Sequence, residues 1–237
     1  MADQLTLGLL GGTGPQGRGL ALRFALAGHE VLLGSRSAER AATVVADLDA
    51  GRGLPIRGVA NEEAAERAEV VLLTFPFEGQ AAVLPALART IGAKVVVDVV
   101  NPLGWDEQGP YPLAVPEGSA AEQAQALLPE ARVTAAFHHA APKLLADPDR
   151  EVDTDVLVAG DDPAARAVVI ALADQIAGCR GVDAGPLRQA RQLEGFTAIV
   201  VAVNRRYKIN AGVRVTRLSE QRRQRPAARA AAKEESS

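Results

Sequence analysis

The sequence predicts an α/β fold, a doubly wound parallel sheet with helices on both faces, and three observations predict it. Short Val- and Leu-rich strands alternate with helical stretches along most of the chain. A glycine-rich turn, Gly12-Thr13-Gly14-Pro15-Gln16-Gly17, separates the first apolar run from the first helix. Later strands end in Pro, Asn and Gly, at the places where open α/β sheets receive ligands.

Residues 5–10 form the first apolar strand, and Leu20, Leu22, Phe24 and Leu26 among alanines mark the helix after the glycine turn. Pro15 suits that helix start, because its missing N–H would be unpaired there in any case. Strand 30–34 completes a Rossmann-like βαβ opening, and strands 56–60, 70–75 and 94–99 follow. Asn61, Glu62 and Glu63 read as a capped helix start, since an Asx side chain and early carboxylates complement exposed N–H groups. Pro85 interrupts helix 78–91 and predicts a kink. Residues 102–118 carry Pro102, Pro110, Pro112 and Pro116 with Gly104, Gly109 and Gly118, which predicts a long irregular loop of the kind that often carries function.

A shorter unit follows: helix 119–128, strand 132–136, strand 155–159, and a helix opened by Asp162-Pro163 that runs to about residue 177. Strand 180–183 leads to a long helix, 188–208. Its middle, 196–203, is apolar almost all round, which predicts burial on more than one side and so a dimer interface. The predicted organisation is a dinucleotide-binding domain over 1–136, a small C-terminal α/β extension for substrate and dimerisation over 137–216 that ends in the long helix, and a disordered tail over 217–237. The tail is rich in Arg, Gln and Ala, and binding of an anionic partner there is the less favoured reading. There is no internal repeat.

In the glycine turn the first glycine permits the tight bend, the second lets backbone approach a pyrophosphate, and the third lets helix and strand pack closely. The helix N-terminus offers unpaired N–H groups to the anion. About 20 residues later an NAD site would carry an Asp or Glu for the ribose 2′-hydroxyl. Here the chain reads Gly34-Ser35-Arg36-Ser37 without an acid. A hydroxyl and a guanidinium can bind a 2′-phosphate that a carboxylate would repel, and Arg40 can add a second positive group. Ser35 as a helix cap and Arg36 and Arg40 as solvated surface are the plainer alternatives; with the acid missing, the cofactor reads as NADP(H).

At 237 residues the chain is short for a dinucleotide domain plus a large catalytic domain, so a second substrate must bind on the dinucleotide domain itself or at a dimer interface. A net charge of −3 gives no sign of nucleic-acid binding. The single cysteine, Cys179, fits a reducing cytoplasm. The N-terminus lacks a signal-peptide pattern, and apolar stretches 70–77 and 196–203 are far short of the roughly 20 residues that span a bilayer. Three histidines without neighbouring cysteines or acids at ligand spacing argue against a metal site. His29 reads as a turn or packing residue. His138 and His139 follow a strand in the second half of the sheet and are candidates for substrate contact. Phe75, Pro76 and Phe77 after one strand, and Asn101 after the next, should border the nicotinamide side of the cleft, although Phe75, Pro76 and Phe77 also read as core or turn. No nucleophile triad, carboxylate pair or general base can be assigned, so no catalytic side chain is named. The residues support hydride transfer without naming the acceptor.

The chain resembles the NADPH-dependent coenzyme F-420 reductases over about residues 5–216. The resemblance is carried by Leu10-Gly11-Gly12-Thr13-Gly14-Pro15-Gln16-Gly17, Gly28-His29-Glu30, Gly34-Ser35-Arg36, Asn101-Pro102-Leu103, Ala136-Phe137-His138, Gly160-Asp161-Asp162, Asp183-Ala184-Gly185-Pro186-Leu187 and Tyr207-Lys208, in that order and spacing. It implies a homodimer that carries hydride between NADP(H) and the 8-hydroxy-5-deazaflavin coenzyme F-420. By the same likeness Thr13, Gly14, Pro15 and Gln16 meet the pyrophosphate and Ser35, Arg36 and Arg40 the 2′-phosphate. Phe75, Asn101 and Ala141 or Pro142 fall near the nicotinamide, and His138 beside the deazaflavin. The order of small residues and proline around 139–142 departs from the family pattern. Lys143, Arg188 and Arg191 are candidates for the anionic tail of the coenzyme, against ordinary solvated surface. Alternative readings are an NADPH-dependent reductase of an imine, ketone or flavin, and a non-catalytic NADP(H)-binding module.

Overall fold

A computed structural model describes residues 4–218. The chain runs β1 (Thr6–Leu10), α1 (Pro15–Leu26), β2 (Glu30–Ser35), α2 (Ala38–Asp49), β3 (Ile56–Ala60), α3 (Asn61–Arg67), β4 (Val70–Leu73), α4 (Phe77–Ile91) and β5 (Val95–Asp98). It continues through β6 (Leu103–Asp106), β7 (Gly109–Pro112), α5 (Ala120–Leu127), β8 (Arg132–Ala135), α6 (Pro142–Leu145), β9 (Thr154–Gly160), α7 (Pro163–Asp174), β10 (Cys179–Gly185), a 3-10 turn (Leu187–Gln189) and α8 (Ala190–Tyr207). The main sheet has eight strands in the order β3-β2-β1-β4-β5-β8-β9-β10. Strands from β3 to β8 are parallel; β9 is antiparallel to β8, and β10 is parallel to β9.

The central strands are apolar on both sides because helices cover both faces of the sheet. Leu7, Leu9, Leu72 and Val97 point into one core with Leu20 and Phe24 of α1, whereas Leu10, Val71, Leu73 and Val96 point into the other with Leu84 and Leu87 of α4. The period-two alternation along each strand divides them. Helix starts follow the sequence cues: Ser37 accepts the N–H of Arg40, Ser119 that of Glu122, and Asp162 that of Ala165, with Pro163 next to it.

Two expectations are corrected, the Asn61 cap and the irregular loop. Asn61 does not cap α3; Ala60 occupies that position and the Asn61 side chain points elsewhere. Helix α4 carries Pro85 in its interior, as the sequence implied, and begins one residue earlier than expected, at Phe77. Part of the predicted loop 102–118 is a hairpin, β6 with β7, in register Leu103 with Pro112 and Trp105 with Pro110. The N–H of Leu113 points to the carbonyl of Pro102, so Pro110 and Pro112, of the opposite parity, turn their missing donors away from the partner strand. Asp106 accepts the N–H groups of Gln108 and Gly109 to tighten the turn.

Beyond α8 the chain reverses at Lys208, whose φ of 54° is left-handed, and Asn204 Oδ1 accepts the N–H of Ala211 at 2.6 Å. The following strap lies along β9. Asp155 anchors it: its carboxylate takes two hydrogen bonds from Arg180, one from Arg214 and the N–H of Val215. Burial opposes ionisation of Asp155, but Arg180, Val215 and Arg214 together hold its carboxyl below the usual range. Apart from Arg217 and Leu218, the expected tail lies outside the described residues. Among the described residues no helix is long and apolar enough to cross a membrane, and no group of His, Cys, Asp or Glu could hold a metal ion.

Candidate functional site

The strand order reverses at β1, whose neighbours are β2 and β4, and the crevice at a reversal point is where open α/β sheets place ligands. The glycine turn occupies it. Its left-handed residue is Gly11, with φ of 74°, one position before the glycine expected to make the bend. A side chain at Gly11 would stand 2.8 Å from the Phe75 Cβ, and one at Gly17 would stand 2.6 Å from the backbone of Gly12. Gly12 and Gly17 therefore serve the packing of α1 on β1 beneath the turn, and neither lines the cleft. Gly14 differs: a Cβ there would meet nothing within 4 Å. The space above it is open to a ligand.

Two residues outside the motif hold the turn in place. Asn61 Oδ1 accepts the N–H of Gly11 at 3.0 Å, and the Thr74 hydroxyl donates to the carbonyl of Leu10 at 2.9 Å. Within the turn, Arg18 Nε donates to the carbonyl of Thr13 at 3.0 Å.

The cleft over this turn has a volume of about 720 Å³. Thr13, Gly14, Pro15 and Gln16 form its floor; Ser35, Arg36 and Arg40 close one end; Phe75, Pro76 and Phe77 border it after β4; Asn101 and Pro142 stand at the other end. Among the described residues that line it there is no carboxylate. Ser35 is buried and accepts the N–H of Ser37 at 3.4 Å, while the cap of α2 is Ser37 itself, so the Ser35 hydroxyl remains available to donate into the cleft. Arg36 and Arg40 are exposed at the rim.

A second cavity, of about 710 Å³, adjoins the first. Pro15, Gln16, Asn101 and Pro142 line both. His138, His139 and Ala141 belong to the second cavity alone, opposite Thr197, Asn204, Arg205 and Lys208 of the α8 region. Arg23 sets this wall: buried in α1, its guanidinium donates to the carbonyls of Leu144, Leu145, Asp147 and Arg150 and so folds the chain around α6. Gly19 allows the approach, since a Cβ there would stand 2.5 Å from that of Leu145.

At the junction the Asn101 Oδ1 is buried without a hydrogen-bond partner. An amide N–H of a ligand would complete it. The His138 ring is buried, and neither nitrogen makes a hydrogen bond of normal geometry. Burial, with His139 as a secondary cause and a weak opposing pull from the Val99 backbone, pushes its pKa down to about 3, so the ring is neutral. His139 donates from Nε2 to the carbonyl of Leu193 at 2.9 Å and stands edge-on to Phe196, which ties β8 to α8. Behind the junction, Asp98 is wholly buried; burial and the nearby Glu194 carboxyl raise its pKa well above the ordinary value, against a hydrogen bond from the Val100 N–H.

The cleft gathers Thr13, Gly14, Pro15, Gln16, Ser35, Arg36, Arg40, Phe75, Pro76, Phe77, Asn101 and Pro142 from the sequence-predicted set, and the second cavity adds His138, His139 and Ala141. Lys143 lines the second cavity, but Arg188 lies in a separate surface depression beside Asp161. Asn61, Thr74 and the α8 wall were not legible in sequence. Thr197, Val201, Asn204, Arg205 and Lys208 do recur at helical spacing, but nothing local says that this face meets a cavity. Without an acid, base or nucleophile poised at the junction, the arrangement can act by orienting two flat groups against one another and keeping water out.

Residues 6–102 match the family model described as NADP oxidoreductase coenzyme F420-dependent. The chain is 40% identical over 224 residues to an F420-dependent NADP reductase of Methanothermobacter marburgensis, covering 91% of this chain and 100% of the relative. It is 38% identical over 222 residues to the F420-dependent NADP reductase of Methanocaldococcus jannaschii, covering 90% and 99%. The crystal structure of a putative F420-dependent NADP-reductase from Arthrobacter sp. FB24 superposes with a TM-score of 0.78 at 27% identity, covering 91% of this chain and 100% of that one.

Proposed function

The chain belongs to the F420-dependent NADP reductase family, and from that premise we propose that its two joined cavities seat the two partners of one hydride exchange, NADP(H) in the cleft and coenzyme F-420 beside it. The protein is an oxidoreductase of that class. The observation that carries the placement is the shared wall: Pro15, Gln16, Asn101 and Pro142 face both spaces, so occupants of the two are neighbours.

The cleft fits the dinucleotide. Open space above Gly14 admits a pyrophosphate to the N-terminus of α1, and Ser35, Arg36 and Arg40, with no carboxylate beside them in the lining, suit a 2′-phosphate. The unpartnered Asn101 Oδ1 suits the carboxamide of a nicotinamide, and Phe75 gives its ring an apolar neighbour. When both coenzymes are bound, a hydride passes between nicotinamide C4 and deazaflavin C5, which needs no covalent intermediate. The protein contributes orientation: Asn101 and Gln16 hold the near edges, Pro15 and Pro142 shape the gap, and neutral His138 offers an uncharged face from the deazaflavin side. Burial keeps that ring neutral, so it places no charge against the deazaflavin.

The chain works as a homodimer in the cytoplasm. Phe196 and Ile199 on α8, with Trp105 and Tyr111 on the hairpin beside it, form an exposed apolar surface that supports self-association. Analytical ultracentrifugation at micromolar concentration is expected to give a dimer. The activity itself is read by mixing the protein with NADPH and oxidised coenzyme F-420 and following loss of the deazaflavin absorbance. No loss at any pH across a broad range removes this reading.

A further inference from the structure

The structure assigns the outer half of the second cavity to an anionic group: Lys143, Arg205 and Lys208 converge there to bind the negatively charged tail of the deazaflavin substrate. The assignment rests on the proposed reading for the ring at the inner end and adds what recognises the rest of the molecule.

The cavity is graded. Of its lining, His138 is buried and Asn101 and Ala141 are half-buried, whereas Lys143, Arg205 and Lys208, with Asn210, are exposed at its solvent side. Among the described residues that line it there is no carboxylate, although the chain as a whole carries a net charge of −3. Like charges brought together without a counter-charge repel one another, and a bound anion removes that cost.

Basic residues in the last turn of a helix often serve only to complement its carbonyl end. Arg206, which lines a different groove with Tyr207, is of that kind. Arg205 stands beside Arg206 in that last turn and Lys143 in the last turn of the four-residue α6, but unlike Arg206 both also line the second cavity, which brings cations from two separate elements to one space. Lys208 occupies a left-handed position where Gly or Asn is the usual residue. Asn204 holds that turn by accepting the N–H of Ala211 and, through its carbonyl, that of Ile209. The Arg205 guanidinium lies over the Trp105 ring at 5.4 Å, which restrains it at the rim before any ligand arrives.

The test compares coenzyme F-420 with the same 8-hydroxy-5-deazaflavin ending in an uncharged ribityl alcohol. Lys143→Gln and Lys208→Asn keep side-chain length or tolerance of the left-handed turn, and Arg205→Gln is the third variant. Each is expected to raise KM for coenzyme F-420 by about tenfold, with kcat, the affinity for NADPH and KM for the uncharged ring unchanged. Equal changes for the two deazaflavins, or none for coenzyme F-420, overturn the assignment. Fluorescence titration of both deazaflavins without NADPH separates this failure from that of the proposed function. Preferential binding of the tailed coenzyme without turnover removes the hydride exchange and keeps the anion site, whereas equal binding, or none, removes the anion site.

Discussion

Gln16 donates a hydrogen bond from Nε2 to the carbonyl of Phe137 at 3.2 Å, so the first turn of α1 is fastened directly to the bend that follows β8. Phe137 is buried, edge-on to Phe24, and left-handed with φ of 64°, a conformation a phenylalanine adopts only when its surroundings impose it. This bond joins the floor of the dinucleotide cleft to the wall that carries His138. The relative position of the two cavities therefore depends on it.

Gln16→Ala is expected to lower kcat by roughly tenfold or more, because small misplacements of reacting groups are costly in orientation-driven catalysis. The dissociation constant for NADPH, read by nucleotide fluorescence, should move much less. A loss confined to NADPH binding with kcat intact would show that Gln16 serves the pyrophosphate alone.

Arg36→Ala removes a cation at the end of the cleft beside Ser35 and Arg40. Affinity for NADPH should fall roughly 10- to 100-fold, the range for losing a charge-assisted hydrogen bond, while affinity for NADH hardly changes. Equal losses for both nucleotides would reject the 2′-phosphate assignment.

Gly14 and Gly17 should respond oppositely to the same substitution. Gly14→Ala places a methyl in open space, so thermal stability is expected to stay within about 0.5 kcal/mol of the parent while NADPH binding weakens. Gly17→Ala drives a methyl against the Gly12 backbone and should destabilise by about 1–3 kcal/mol. Calorimetry with nucleotide titration reads both, and a stability loss at Gly14 as large as that at Gly17 would contradict this division.

Glu194, buried in α8, accepts the N–H groups of Ala120 and Ala121 at the start of α5, and burial still raises its pKa to about 7. The folded carboxyl thus loses its proton at higher pH than the unfolded one, whose ordinary value is 4.5. The stabilising effect of holding that proton is full below the unfolded pKa. It declines as pH rises from there and is lost by about pH 7, a span worth up to about 3 kcal/mol. Glu194→Gln should flatten this part of the stability profile measured by chemical denaturation between pH 5 and 8. An unchanged slope would place the titration elsewhere.

Local chemistry was enough to place the glycine turn, the missing acid beside Ser35-Arg36, and the order of strands and helices, because each depends on neighbours within a few residues. The same local reading failed where a contact crosses the chain. It put the bend at Gly12 rather than Gly11, made Asn61 a helix cap when its amide reaches back to the Gly11 N–H, and saw only prolines where β6 and β7 pair. It also offered Arg188 for an anion that the second cavity would meet with Arg205 and Lys208. Which residues of α8 face His138, and that Pro15, Gln16, Asn101 and Pro142 border two spaces at once, were decided by the reversal of strand order at β1 and by Arg23 holding α6 against α1. Those relationships join residues from 59 to more than 120 positions apart, and only the packing of the sheet and its helices sets their distance.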